Sequence, residues 1–313
     1  MIRPFDLRDL PLLHRYRNRG LFLDSAQVMT RGPMLVSGVL LSYLAPSTGI
    51  FTLVCQDEED EGQTLMGQVV HTTESPFARV SFLAPVDALD CSGLSELLDH
   101  LVHRAGKRGA FHLIAEVDDN SVTFESLRRA GFGVYARQRI WKLEGEAPDS
   151  GTENLWRPVR AQDSIAVLSH YHSLVPGLVK QIEPLTADHL EGLVSWEQGE
   201  VLGYVDLKYG HRGIWTMPII HPDVQNVDNH LTSLLQYLPD RRSRPVYICV
   251  RSYQSWLESA VENIGAKQGP FQAVMVKHLA VRRRVKSAFA LPQLEGQPDI
   301  SAPIAQSKRN NSV

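Results

Sequence analysis

Cysteine is scarce in this chain. Cys55, Cys91 and Cys249 are the only three in 313 residues, they lie far apart, and each sits in or beside an apolar run. That pattern excludes a disulfide framework and zinc-ligand spacing, and it predicts reduced core thiols of a cytosolic protein. Long apolar runs are missing too: the longest, between Pro33 and Pro46, is too short and too interrupted to span a bilayer. The opening MIRPFDLRDL is charged from the start, unlike a secretory signal, so a cytoplasmic chain with no membrane partner is expected. Neither sign of charge is in large excess. A net charge of −3 gives no general pull toward nucleic acid. Of 12 histidines, His100 and His103 share a helix face, but no third ligand joins them and no metal site is expected. Local spacing assembles no Ser-His-Asp or Cys-His nucleophile.

What the sequence does hold is a repeat. The length suits two medium domains, and 43% hydrophobic with 21% charged residues describes an ordinary globular chain. The polar stretch 144–155, EGEAPDSGTENL, reads as a linker. On either side the chain repeats itself. Ile2-Arg3-Pro4 with Asp9 is matched by Trp156-Arg157-Pro158 with Asp163, each Asp placed to N-cap a helix (Leu10 to Tyr16, Ser164 to Tyr171). Met66-Gly67-Gln68-Val69 is matched by Leu202-Gly203-Tyr204-Val205. The helix from Gly93 to Leu101 aligns leucine for leucine with His230 to Leu238, and Pro85 precedes one as Pro222 precedes the other. A buried strand, a helix ending at Gly131 or Gly265, and a closing strand (Tyr135 to Leu143, Phe271 to Val281) complete each half. Irregular helical segments, Asp24 to Leu44 and Leu174 to Leu190, either lid a cleft or cover a sheet edge. The acidic run at 57–62 reads as a solvated hairpin loop.

The stretch from Ile219 to Leu238 organises the second half. It reads as a strand end, a His221-Pro222 stop, a polar loop and an amphipathic helix, the geometry that offers backbone N–H groups to a phosphate. The loop is Gln225-Asn226-Val227-Asp228-Asn229-His230; its counterpart is Ala88-Leu89-Asp90-Cys91-Ser92-Gly93. A second local pattern is Asn120, Leu127, Gly131 and Phe132, answered by Gln254, Val261 and Gly265.

With this order of elements, each half resembles the GNAT acetyltransferase superfamily, and the whole resembles a tandem GNAT protein over nearly all of residues 1–281. The resemblance implies an α/β (α+β) class, with two tandem acyl-CoA N-acyltransferase-like domains, each a mixed central sheet flanked by helices. Their expected bounds are 1–143 and 156–281, followed by a disordered basic and polar tail at 282–313. It also implies acetyl-CoA as co-substrate. Its pantetheine would lie between two splayed strands and its pyrophosphate in a glycine-rich loop of pattern [QR]-x-x-G-x-[GA]. The residues so placed are Gln225, Asn226, Val227, Asp228, Asn229 and His230 in one half, and Cys91, Ser92, Gly93 and Asn120 in the other. Asp228 would repel a pyrophosphate, and His230 is expected to crowd its path. The family's thiolate-protonating tyrosine is replaced by Leu127 and Val261, neither of which can donate a proton.

Acetyl transfer would still need a base, an oxyanion donor and an acid. Backbone N–H groups near Phe82 and Met217 are expected to serve as donors. Glu116 and Asp206 are the candidate bases, and Tyr247, Tyr204 and Tyr253 the candidate acids; edge-facing polar residues and core tyrosines are the alternative account. Two functions follow. One is an N-acetyltransferase acting on a small-molecule amine; the other is a catalytically inactive tandem scaffold that binds a small molecule or a protein.

Overall fold

Each repeat begins with the same clamp. Arg3 donates to both oxygens of Asp9 at 2.7 Å, and Arg157 donates to both oxygens of Asp163 at 2.6 and 2.8 Å. The backbone N–H groups of Asp6 and Arg160 complete the two carboxylates. The aspartates stand at the expected N-cap positions, but their side chains bind the arginine of the preceding strand and not the helix N–H groups. A two-point contact with a guanidinium outcompetes a single bond from a helix N–H here.

The computed structural model describes residues 1–56, 64–73, 75–91, 93–145 and 154–279; the acidic run, Ser92, most of the linker and the tail lie outside the described residues. In the first repeat β1 (Ile2–Pro4) leads to α1 (Leu10–Tyr16), β2 (Leu21–Phe22), α2 (Ser25–Arg31) and α3 (Leu35–Leu44). Then come β3 (Ile50–Gln56), β4 (Thr64–Val70), β5 (Phe77–Ala84), α4 (Gly93–Gly106), β6 (His112–Asp118), α5 (Val122–Arg129) and β7 (Gly133–Leu143). The second repeat runs β8 (Trp156–Pro158), α6 (Ser164–Leu174), α7 (Gly177–Ile182), β9 (Leu193–Glu197), β10 (Glu200–Tyr209) and β11 (Ile214–Ile220). It ends with α8 (Val227–Tyr237), β12 (Val246–Arg251), α9 (Glu258–Asn263) and β13 (Lys267–His278).

The aligned leucines are buried in both repeats: Leu94, Leu97, Leu98 and Leu101 on α4, and Leu231, Leu234 and Leu235 on α8. Gly131 and Gly265 hold φ of 88° and 87°, the left-handed conformation that ends α5 and α9 without the steric cost of a Cβ.

One mixed sheet carries everything, in the order β1-β3-β4-β5-β6-β13-β7-β12-β11-β10-β9-β8, with β2 added on β5. The last strands are exchanged, which corrects the expectation that each closes its own half. β13 lies between β6 and β7, and β7 pairs with β12. Burial explains the exchange. Ala273 and Met275 of β13 enter the core built on the leucines of α4, while Trp141 and Leu143 of β7 enter the core built on α8. Each strand thus fills the other repeat's core.

The parallel pairs set the site. β5 pairs with β6 only over Phe77–Arg79 and His112–Ile114, and β11 with β12 only over Ile214–Thr216 and Val246–Ile248. Beyond those residues each pair opens into a slot.

Candidate functional site

The first slot is filled by the chain itself. β2 pairs antiparallel with β5, Leu21 opposite Leu83 and Phe22 opposite Phe82. The next residue bridges both walls: Leu23 N–H donates to Ser81 O at 3.0 Å, and Glu116 N–H donates to Leu23 O at 2.9 Å. Leu23 is buried. Backbone polar groups that a pantetheine amide would need are therefore already paired.

Among the described residues none inserts its backbone into the second slot, but its chemistry is altered. Ile214 N–H bonds to Pro245 O, whereas His221 N–H bonds to Leu202 O on the opposite side. Backbone groups alternate along a strand, so 214, 216, 218 and 220 face β12 and the slot. Met217, opposite Asp206, turns its N–H toward β10, which corrects its expected role as donor. Phe82 is turned away from its slot by the same alternation relative to Ser81. The slot position is Pro218, which has no N–H to give. Further along, Gln254 Nε2 reaches across and donates to Ile220 O at 2.9 Å.

At the loop, Asn226 takes a left-handed conformation (φ 58°) immediately before α8. Gln225 and Asp228 are exposed, Asn229 and Val227 are half-buried, and Asn263 Nδ2 donates to Asp228 Oδ2 at 3.1 Å. His230 corrects an expectation. Its ring is buried edge-on to Trp156, with centroids 6.4 Å apart, and Trp156 Nε1 donates to its carbonyl. The side chain packs inward and leaves the phosphate path clear. Burial lowers its affinity for a proton. In the first repeat Asp90 accepts from Ser126 and Arg129, so a second carboxylate occupies the approach to Gly93. Cys91 is half-buried beside it, and Asn120 is exposed in a left-handed turn (φ 62°), with Ser121 capping α5.

A cavity of about 140 Å³ opens between the repeats on one face of the sheet. β5 and β6 contribute Phe77, Arg79 and Glu116; β10 contributes Tyr204, Asp206 and Lys208; β11 contributes Trp215, Met217 and Ile219. Arg251 and Tyr253 follow from β12, and the segment around α7 forms a wall through Val179, Glu183, Pro184 and Leu185.

Its floor is a buried ion chain. Arg79 donates to Glu116 and to Glu183, each at 2.9 Å, and Arg251 donates to Glu183 at 3.0 Å. The Tyr135 hydroxyl also donates to Glu183. Ser25 N–H donates to the other oxygen of Glu116 at 3.0 Å, so both oxygens of that carboxylate are engaged. Burial would raise the Glu183 pKa, but Arg251, Arg79 and Tyr135 outweigh it and bring it down to about 2. Burial pushes Tyr253 up to about 12, and pushes Tyr204 and Tyr171 upward as well.

The structure thus brings Glu116, Asp206, Tyr204 and Tyr253 together in one cavity, and Tyr247 is not among its lining residues. Arg79, Arg251 and Glu183 were not anticipated. The signal was there for the arginines, each a charge inside an apolar strand (FARVSFLA, VYICVR). For Glu183 only the irregular helical segment pointed the way.

The architecture is the GNAT acetyltransferase fold. A GCN5-related N-acetyltransferase from Sphaerobacter thermophilus matches 89% of this chain and 95% of its own, at a TM-score of 0.51 and 12% identity. A protein described as an acetyltransferase from Pyrococcus horikoshii matches 89% of each chain at 0.50 and 12% identity. A tandem GNAT protein of the clavulanic acid biosynthesis pathway matches 89% of this chain and 98% of its own at 0.49 and 13% identity. As a sequence, the chain matches no protein family and no curated protein. Among the described residues no helix is long and apolar enough to cross a membrane, and no cluster of three metal-binding side chains occurs.

Proposed function

We propose that the chain is a small-molecule-binding protein on a tandem GNAT scaffold, and that it does not transfer acetyl groups from acetyl-CoA. The observation that carries this reading is Leu23, bonded to both walls of the first slot where a pantetheine arm would run. The residues of the second slot also fit the cofactor poorly. Pro218 withholds an N–H from the slot, and losing one oxyanion donor costs on the order of 10²–10³ in rate. Gln254 spans the opening, and Asp228 sets a negative charge in the first turn of α8. Glu116, with both oxygens engaged, is not available as a base. What remains is the cavity between the repeats.

One observation favours acetyl transfer by the second repeat instead. Asp206 lines the cavity, is only half-buried and lies opposite Met217 on the open slot's strand. Calorimetric titration of acetyl-CoA into the full chain separates the two readings. The binding-protein reading expects no saturable heat below millimolar concentration. Micromolar binding, with thiol release on adding amines, would establish the transferase.

A further inference from the structure

Two imidazoles meet where the exchanged strand ends. His112 opens β6, His278 closes β13, and the register sets them directly opposite each other. Leu279 N–H donates to Phe111 O at 3.0 Å, which makes 111 and 279 the hydrogen-bonded rung and 112 and 278 the rung without bonds. In an antiparallel ladder the rung without bonds brings its side chains closest together. The two rings stand edge to face with centroids 5.0 Å apart, and the two Nδ1 atoms are 3.1 Å from each other.

That contact accommodates one shared hydrogen, and the same separation suits a metal ion. Imidazole nitrogens bind divalent ions such as zinc at about 2.0–2.1 Å, so two of them at 3.1 Å subtend roughly 98° at the metal. This angle falls between the square-planar and tetrahedral arrangements that copper, nickel and zinc adopt. The backbone carbonyl of Gln181, at the end of α7, faces the His112 ring. A ligating imidazole gives its remaining N–H to such an acceptor, which fixes the ring's orientation. His278 is exposed and His112 half-buried, so the pair is open to solvent. Among the described residues no third metal-binding side chain joins them, and water would complete the coordination.

We infer that His112 and His278 chelate a first-row divalent transition ion through their Nδ1 atoms. Copper(II) should bind ahead of nickel and zinc, and magnesium and calcium, which take oxygen ligands, should not bind. One ligand belongs to the first repeat and the other to the strand that the second repeat supplies, so a bound ion fastens the exchanged strand at its end. An ion held by the folded chain in this way stabilises it by mass action. Neither histidine lines the cavity between the repeats, and the inference stands apart from the binding-protein reading.

The test is calorimetry and thermal unfolding of the full chain, free of any affinity tag, with Cu²⁺, Zn²⁺ and Mg²⁺ as probes. Cu²⁺ and Zn²⁺ are each expected to bind at one equivalent, to raise the melting temperature and to be removed by EDTA, while Mg²⁺ does neither. His278→Ala, at an exposed strand end, should weaken both ions about tenfold or more, since even outer-shell partners of a metal matter that much. It should also cancel the thermal shift and leave the ion-free melting temperature nearly unchanged. His112→Ala should weaken binding equally, and its ion-free melting temperature reports any loss of packing separately. His103→Ala, on α4, should change nothing. Binding that survives His278→Ala puts the ion elsewhere and overturns the inference. A thermal shift given equally by Mg²⁺, or no binding of Cu²⁺ and Zn²⁺ to the parent chain, overturns it too. None of these outcomes alters the acetyl-CoA titration, by which the binding-protein reading is judged.

Discussion

Gln138 and Gln272 face each other across the β7–β13 ladder, and Gln138 Nε2 donates to Gln272 Oε1 at 3.0 Å. They are the same residue of the two repeats: 272 − 138 = 134, the offset that also relates Gly131 to Gly265. The relation between the repeats is therefore a local twofold, and it passes between these two side chains. Ser25 ties the pair to the cavity by donating to Gln272 Oε1 at 3.1 Å.

Separated repeats are expected to fail alone. A fragment ending at residue 145 has β7 without its two neighbours and β6 without β13; one starting at 154 has the mirror defect. Each should lack a cooperative urea transition, and mixing the two should restore one. Two independently cooperative fragments would refute the functional importance of the exchange for stability.

Glu183→Ala leaves Arg251 buried with no carboxylate and removes one of the two on Arg79. Breaking a buried pair in this way costs about 3–5 kcal/mol, read as a lower urea midpoint at unchanged slope. Asp87→Ala, which breaks the exposed pair with Arg19, should leave the midpoint nearly where it was.

Stability should fall in acid. Glu183 titrates near 2 in the folded chain against an ordinary value of 4.5, so its contribution is complete above 4.5 and is lost as pH falls from there toward 2. Asp9 and Asp163, held down chiefly by hydrogen bonds from Arg3 and Arg157, add to the same loss. At the alkaline end Tyr253 ionises near 12 and the unfolded tyrosine near 10, so stability should decline as pH rises through that interval. Urea midpoints at stepped pH check both limbs.

Substitutions in the α8 loop should separate charge from bulk. Asp228→Gly removes a carboxylate from an exposed first turn and should raise CoA affinity by up to about tenfold from a negligible level. His230→Gly should give no gain in CoA affinity and a lower melting temperature, because the ring fills space against Trp156. A gain from His230→Gly would mean that the ring does obstruct the loop.

Much of the fold was legible in the sequence because it is written as short-range pattern. The leucines of α4 and α8 and the glycines at 131 and 265 each follow from spacing within one element; spacing places Asp9 and Asp163 before their helices but does not show that each pairs with the arginine of the preceding strand. The exchange of β7 and β13 could not be read this way. The alternation of buried residues in β13 places Ala273 and Met275 on one face whichever strands lie beside it. The site divides along the same line. Glu116, Asp206 and Tyr204 were visible as polar groups on core strands, and Tyr253 at the helical turn after one. That Leu23 reaches Ser81 and Glu116, across 58 and 93 positions of chain (81 − 23 and 116 − 23), is a tertiary contact with no local signature. His230 misled for the opposite reason, since its position in the loop said nothing of which way its ring would turn.

The exchanged strand also governs how the molecule can be made. Among the described strands β13 leaves the ribosome last, yet its place lies between β6 and β7, which were completed more than a hundred residues earlier. Until residues 267–278 emerge, the nascent chain holds a half-built sheet with unpaired strand edges at β6 and β7, the surfaces most prone to mispair with another chain. The first repeat cannot be finished before the second is almost wholly synthesised. Translation and folding are therefore coupled through β13, and a premature stop before it in the second repeat leaves the first repeat incomplete as well.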